Sequence, residues 1–75
     1  MNNITFSIEQ ARNYSGLTQV EMAKKLGISV GRYGQIENGT NYFRMDEAHH
    51  FSEITGIPMQ NIIFFGQKVQ KICSR

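Results

Sequence analysis

The sequence has very little of several features, and each shortage excludes a class of protein. Cys73 is the only cysteine among 75 residues, so no disulfide forms within the chain, and we expect a location in the reducing cytoplasm. The longest apolar run, at 62–65, is far below the roughly 20 residues that span a bilayer. The first three residues carry no basic charge and no long apolar stretch follows them, which argues against a signal peptide. We therefore expect no membrane partner.

Charge is also scarce, and its distribution is uneven. Eight Lys and Arg against six Asp and Glu give a net charge of +2, which permits a nucleic-acid partner without indicating one. Five basic and six acidic residues lie within 1–65, which gives that part a net charge of −1. Lys68, Lys71 and Arg75 add three positive charges after it. If the protein binds DNA unaided, we therefore expect the last ten residues, 66–75, to help.

The chain is long enough for one small domain and its pattern is helical. Hydrophobic residues make up 40% of it, which argues against disorder. Proline occurs once, and glycines separate segments of roughly 8 to 12 residues, the length of short helices. The separating glycines are Gly16, Gly27, Gly39, Gly56 and Gly66. We predict an all-α fold of five helices, with a domain over 1–65 and a basic tail over 66–75.

Three of the predicted helices have recognisable N-terminal caps. Ser7 and Gln10 form a capping-box pair at the start of the first helix, and Thr18 and Glu21 form another at the start of the second. Ser29 is placed to cap a third helix, which should end at the Asn-Gly pair at 38–39.

Two later helices are predicted from spacing alone. Met45, Phe51 and Thr55 lie on one face of a fourth helix that ends at a glycine. Pro58 suits the first turn of a fifth helix, which we expect to run to Phe65.

The second and third helices fit a helix-turn-helix unit, which needs a small residue at the crossing and glycine in a short turn. Ala23 and Gly27 occupy those places. An ordinary helical hairpin that turns at a glycine fits the same residues. Apolar side chains for either packing are Met22, Leu26, Ile28, Tyr33 and Ile36. We expect Tyr33 in the core, with its hydroxyl at the rim.

A longer string favours the helix-turn-helix. The segments AR at 11–12, GLTQ at 16–19, EMA at 21–23, LGIS at 26–29 and IENG at 36–39 resemble the lambda-repressor and Cro-like family, and the likeness extends over about residues 8–64. The resemblance implies a five-helix DNA-binding domain, and we interpret the chain as a small phage regulator. It also implies a salt bridge between Arg12 and Glu37, which their apolar surroundings favour because buried charges need partners.

The resemblance places residues 29–37 in the major groove of operator DNA. The candidate base-reading residues are Val30, Gly31, Arg32 and Gln35, and the candidate phosphate contacts are Gln19, Asn38, Asn41 and Arg44. Gln35 alone suits a bidentate contact, for which adenine is the usual partner. Arg32 suits guanine or phosphate, with a solvated surface as the alternative. Asn38 and Asn41 suit either DNA or local hydrogen bonds within the loop.

A second function remains open, because the third helix lacks polar side chains at positions where relatives that bind DNA carry them. In this alternative the chain is a modulator or anti-repressor, whose third helix and following loop bind another helix-turn-helix regulator. The candidate interface residues are Gly31, Gly34, Tyr42, Phe43, Ile54, Phe64 and Phe65. The last three, being surplus apolar residues near the end of the domain, suit either a homodimer, which we favour, or additional packing in the core.

Catalytic chemistry is not expected. No Ser-His-Asp or Cys-His set and no phosphate-binding glycine loop can be assembled, so we predict no enzyme activity, small-molecule substrate or cofactor. His49 and His50 are adjacent and would point about 100° apart on a helix, which does not suit a shared metal. We predict no metal site.

Overall fold

The computed structural model describes residues 4–64, which form a helical domain closed by a very short sheet. The four α-helices are α1 (Ile8–Ser15), α2 (Gln19–Leu26), α3 (Val30–Asn38) and α4 (Met45–Thr55). A single 3-10 turn covers Met59–Asn61. Two-residue strands, β1 (Phe6–Ser7) and β2 (Ile62–Ile63), pair in parallel at the two ends of the described chain.

The predicted caps at the first two helix starts are confirmed. The Ser7 hydroxyl accepts from Gln10 N–H at 3.1 Å, and the Gln10 side chain accepts from Ser7 N–H at 2.9 Å. Thr18 and Glu21 make the same reciprocal pair at 3.1 and 2.9 Å. Each pair satisfies two backbone donors that a helix start leaves without an intrahelical partner. Ser29 caps α3 by accepting from the N–H of the third helical residue at 3.0 Å.

The prediction of a fifth helix is wrong. After the 3-10 turn the backbone becomes extended, with φ −114° and ψ 132° at Ile62. Ile62 and Ile63 pair with Phe6 and Ser7 at the start of the chain. Two successive β-branched side chains favour this extended conformation over a helix. Four α-helices, rather than five, are present in residues 4–64, and the fold is therefore mainly rather than wholly helical.

The core lies where all four helices meet the short sheet. Its buried members are Ile8, Ala11, Met22, Ala23, Leu26, Tyr33, Ile36, Phe51, Ile57 and Ile62. Met45, predicted on the inner face of α4, is instead 75% exposed. Tyr33 is fully buried, so the expectation that its hydroxyl reaches the rim is also wrong. Within residues 4–64 that hydroxyl meets no hydrogen-bond partner, although Glu37 and Arg12 lie near enough to affect its pKa, which burial raises.

The predicted tail over 66–75, like Phe65 before it, lies outside the described residues. None of the helices within 4–64 has the length and apolar character needed to cross a membrane.

Candidate nucleic-acid interface

A sharp turn of three residues joins α2 to α3. Gly27 ends α2 with φ 77°, a left-handed conformation that strains residues with a Cβ. The Ile28 N–H then donates to the Ala23 carbonyl at 3.0 Å, which closes the end of α2. Buried side chains of α2 and α3 pack together on the inner side of the angle. The turn therefore holds α3 at a fixed angle across α2, with its outer face towards solvent.

A polar network beneath this pair of helices holds the C-terminal end of α3. Arg12 Nε lies 2.6 Å from Glu37 Oε2, and the two side chains are only 12% and 5% exposed. This is the ion pair expected from the sequence. Arg12 also donates to the Leu17 carbonyl at 2.9 Å, and Gln19 Nε2 donates to Glu37 Oε1 at 2.8 Å. One carboxylate on α3 thus connects α1, α2 and the segment between them.

The network also determines the charge state of Glu37. Burial by itself raises the pKa of this carboxyl, but the hydrogen bond and positive charge of Arg12, together with the nearby Tyr33 and Gln19, outweigh burial and hold the pKa below its usual value. Glu37 is therefore ionised at neutral pH. Gln19, predicted as a phosphate contact, already gives one amide hydrogen to this carboxylate while its side chain lies at the exposed start of α2.

A second ion pair holds the N-terminal half of α3 to α4, and it involves a predicted base-reading residue. Arg32 donates to both carboxylate oxygens of Glu47, at 2.7 and 2.9 Å, and to the Tyr42 carbonyl at 3.1 Å. The Arg32 and Glu47 side chains are 28% and 12% exposed. The guanidinium that was expected to reach a guanine or a phosphate is therefore turned back onto its own domain, because Glu47 offers it a bidentate partner.

Sequence reasoning missed Glu47 as part of this site. Its carboxylate accepts from the Arg44 N–H at 2.8 Å as well as from Arg32. The hydrogen bond from Arg32 lowers the pKa of Glu47 by more than burial raises it. An acid near the start of a helix signals only a cap. The pairing with Arg32 depends on how α3 and α4 pack.

The outer face of α3 carries few side chains. Val30, its first residue, is 46% exposed, and Gly31 beside it is exposed. A Cβ placed on Gly31 or Gly34 would meet nothing within 4 Å. Packing within the described residues therefore does not require either glycine. Gln35 is the one long polar side chain of the predicted base-reading set that faces solvent.

The loop after α3 divides its side chains between the core and the surface. Phe43 packs against the rings of Phe51 and Phe64, with centroids 5.2 and 6.0 Å away, so it belongs to the core edge. Tyr42 is 46% exposed. Asn41 is half-buried, and its side-chain amide donates to Gln35 Oε1 at 3.1 Å.

The two remaining predicted phosphate contacts are both exposed. Asn38 is the last residue of α3, and the Arg44 side chain is 72% exposed. Arg44 lies 3.6 Å from Asp46, a loose pair that leaves the guanidinium accessible to solvent. Arg12, Arg32 and Arg44 thus each lie against a carboxylate, which reduces the positive potential of this surface.

The residues predicted for an interface at the end of the domain are only partly available. Ile54 and Phe64 are half-buried and pack against the core. An open apolar pocket of about 100 Å³ lies beside Phe64. Its lining residues are Phe43, Met45, Ala48, Met59 and Phe64.

Comparison with known proteins supports the identification of α2 and α3 as a helix-turn-helix. A family model described as helix-turn-helix matches residues 8–61, well over half of the chain. No curated protein and no solved structure shows significant similarity to it. The match covers all four helices and indicates a DNA-binding transcriptional regulator. The chain belongs to the helix-turn-helix family of the XRE, or Cro/C1, type.

Proposed function

We propose that this protein is a transcriptional repressor of the phage repressor or Cro type, which occupies operator DNA through α3. The observation that carries the proposal is the exposed outer face of α3, presented by a capped helix-turn-helix within the matched family domain. The proposed activity is binding rather than catalysis. The single cysteine suits the reducing cytoplasm, where we place the protein.

The proposed division of contacts follows the exposure of each side chain. Gln35 reads base edges, and Val30 contacts a thymine methyl from the first turn of α3. Gln19, Asn38 and Arg44 contact phosphates around the groove, helped by the N-terminal end of α2. Arg32 positions α3 through Glu47 and is left out of the base-reading set.

The proposal also gives roles to the basic residues within 66–75 and to the apolar end of the domain. The basic residues within 66–75 add attraction to phosphates, which the near-neutral domain over 1–65 needs. A homodimer formed through the apolar end of the domain, near Ile54 and Phe64, would match an inverted-repeat operator.

A second candidate function is supported by the same bare face of α3. Open space around Gly31 and Gly34, with Val30 and Tyr42 each 46% exposed, offers a smooth and partly apolar surface. Such a surface suits a protein partner better than a groove lined with hydrogen-bonding groups. In this candidate the chain binds another helix-turn-helix regulator and modulates it without contacting DNA.

One binding experiment, with the purified protein and the DNA beside its own gene, distinguishes the two functions. We expect affinity to fall steeply with salt, and Arg44→Ala to weaken binding to all sequences and reduce the salt slope by about one. Gln35→Ala should instead relax the preference at one base pair. Gln60→Ala, a matched change of an exposed glutamine in the 3-10 turn, serves as the control and should leave binding unchanged.

Absence of any DNA complex at low salt would contradict the repressor proposal. Stable association with a second helix-turn-helix protein, lost on Gly31→Arg but retained in Arg44→Ala, would favour the modulator. Equal weakening by Gln35→Ala and Gln60→Ala would argue against α3 as the reading element.

A further inference from the structure

A chain of two hydrogen bonds connects the loop after α3 to the proposed base-reading side chain. The Tyr42 backbone N–H donates to Asn41 Oδ1 at 2.8 Å. The Asn41 Nδ2 group donates in turn to Gln35 Oε1 at 3.1 Å. This series of two hydrogen bonds, which we call the relay, therefore runs from the main chain through Asn41 to the tip of Gln35.

The chemistry of the first group determines the orientation of both side-chain amides. A backbone N–H only donates, so Asn41 must turn its oxygen towards Tyr42 and its nitrogen towards Gln35. Gln35 must then turn its oxygen towards Asn41. The same amides in the reverse orientation would place two donors against each other at the Tyr42 backbone.

The main chain holds the two ends of this relay together. The Gln35 carbonyl accepts from the Thr40 N–H at 3.0 Å and from the Thr40 hydroxyl at 3.2 Å. These bonds tie the last turn of α3 to the residue just before Asn41. Asn41 is half-buried while Gln35 is exposed, so the anchored partner is the one further from solvent.

We propose that Asn41 is a specificity-determining residue, which fixes Gln35 as a hydrogen-bond donor towards DNA. The bond from Asn41 turns the Gln35 oxygen towards the loop, so the group that Gln35 turns outward is Nε2 with its two hydrogens. Guanine presents two acceptors, N7 and O6, in the major groove, whereas adenine presents one acceptor and one donor. Gln35 therefore selects guanine, and not the adenine that an unrestrained glutamine favours. This inference rests on the proposed function, because it requires Gln35 to face the groove.

The test reverses the relay by one substitution, Asn41→Asp. One aspartate oxygen still accepts from the Tyr42 N–H, but the other now needs a donor and turns Gln35 so that Nε2 points inward. Gln35 then presents its oxygen to DNA, which favours bases with an exocyclic amino group, adenine and cytosine. We expect the ratio of affinities for guanine over adenine to fall about fivefold, the effect of one ordinary hydrogen bond.

The measurement is competition among operators that differ at the single base pair whose preference disappears in Gln35→Ala. Asn13→Asp introduces the same negative charge at an exposed position on α1 and should weaken binding without changing base preference. A guanine preference shared by wild type and Asn41→Asp would overturn the inference, as would a wild-type preference for adenine. Failure of wild type to bind any DNA would instead overturn the proposed function, and this inference with it.

A second measurement needs no DNA and tests the relay itself. In the folded free protein, Asn41→Asp should shift the side-chain amide resonances of Gln35 in a ¹H–¹⁵N spectrum, because Nε2 gains a carboxylate acceptor. The Gln60 amide is the internal control and should not move. Unchanged Gln35 resonances in a folded variant would overturn the relay.

Discussion

The two ends of α3 are held by the same chemistry in different surroundings. At the C-terminal end, Glu37 pairs with Arg12 at side-chain exposures of 5% and 12%. Towards the N-terminal end, Arg32 pairs with Glu47 at 28% and 12%. Both carboxylates receive two hydrogen bonds from one guanidinium, and both have a lowered pKa.

The difference in exposure gives the two ion pairs different roles. A nearly dry ion pair is costly to break, because the partner left behind stays buried and charged. A more exposed pair has water available to replace the lost partner, so breaking it costs less. The C-terminal end of α3 is therefore its fixed point within the domain. The N-terminal half, where Val30 and Gly31 lie, is more weakly held.

Removing the charge of the drier pair is the most severe test of this comparison. Glu37→Gln leaves Arg12 largely buried beside a neutral amide and should lower the free energy of unfolding by about 3 kcal/mol. Urea unfolding followed by circular dichroism measures the change.

The matched control is Glu53→Gln, the same change at an exposed position on α4. It should alter the free energy of unfolding by less than about 0.5 kcal/mol. Similar losses in the two variants would show that Glu37 is not the fixed point of α3.

The two ion pairs differ in how well the sequence predicts them. Arg12 and Glu37 lie 25 residues apart, and they were paired because each interrupts an apolar face and each matches a family position. Arg32 and Glu47 carry no such signal, since neither interrupts a predicted apolar face. Their pairing depends on the angle between α3 and α4, which the sequence pattern does not encode locally.

Elsewhere in the domain, too, features formed within a few residues were predictable from the sequence, and contacts between distant residues were not. The capping boxes of Ser7 and Thr18 are complete within four residues, so local sequence was enough to predict them. The fifth helix was wrong because Ile62 pairs with Phe6 at the opposite end of the described chain. The Asn41–Gln35 contact was also beyond local reasoning, because a loop asparagine has several equally plausible partners.

Strengthening α3 at its two internal glycines gives a smaller effect of opposite sign. Gly31→Ala and Gly34→Ala should each raise the free energy of unfolding by about 0.8 kcal/mol, because alanine favours the helix and each Cβ has open space. The double variant should gain about twice that, by the same urea measurement. Gly27→Ala is the contrasting control: its φ of 77° makes alanine destabilising by about 1 kcal/mol. A loss in the double variant would show that the glycines are needed within the fold.

Breaking the more exposed ion pair should cost much less than breaking the drier one. Glu47→Gln should lower the free energy of unfolding by about 1 kcal/mol at neutral pH. The folded pKa of Glu47 lies below its unfolded value, so this contribution is present above about pH 4.3 and is lost as the pH falls through the folded pKa. The difference between wild type and Glu47→Gln should therefore shrink in acid.

Salt distinguishes the two pairs further, because screening reaches exposed charges more than buried ones. In about 1 M NaCl, where the screening length is near 3 Å, the cost of Glu47→Gln should fall well below its low-salt value. The cost of Glu37→Gln should change little, since its partner remains in the drier site. Equal salt sensitivity of the two variants would mean that water reaches both pairs alike, and that the two ends of α3 are equally free to adjust when DNA is bound.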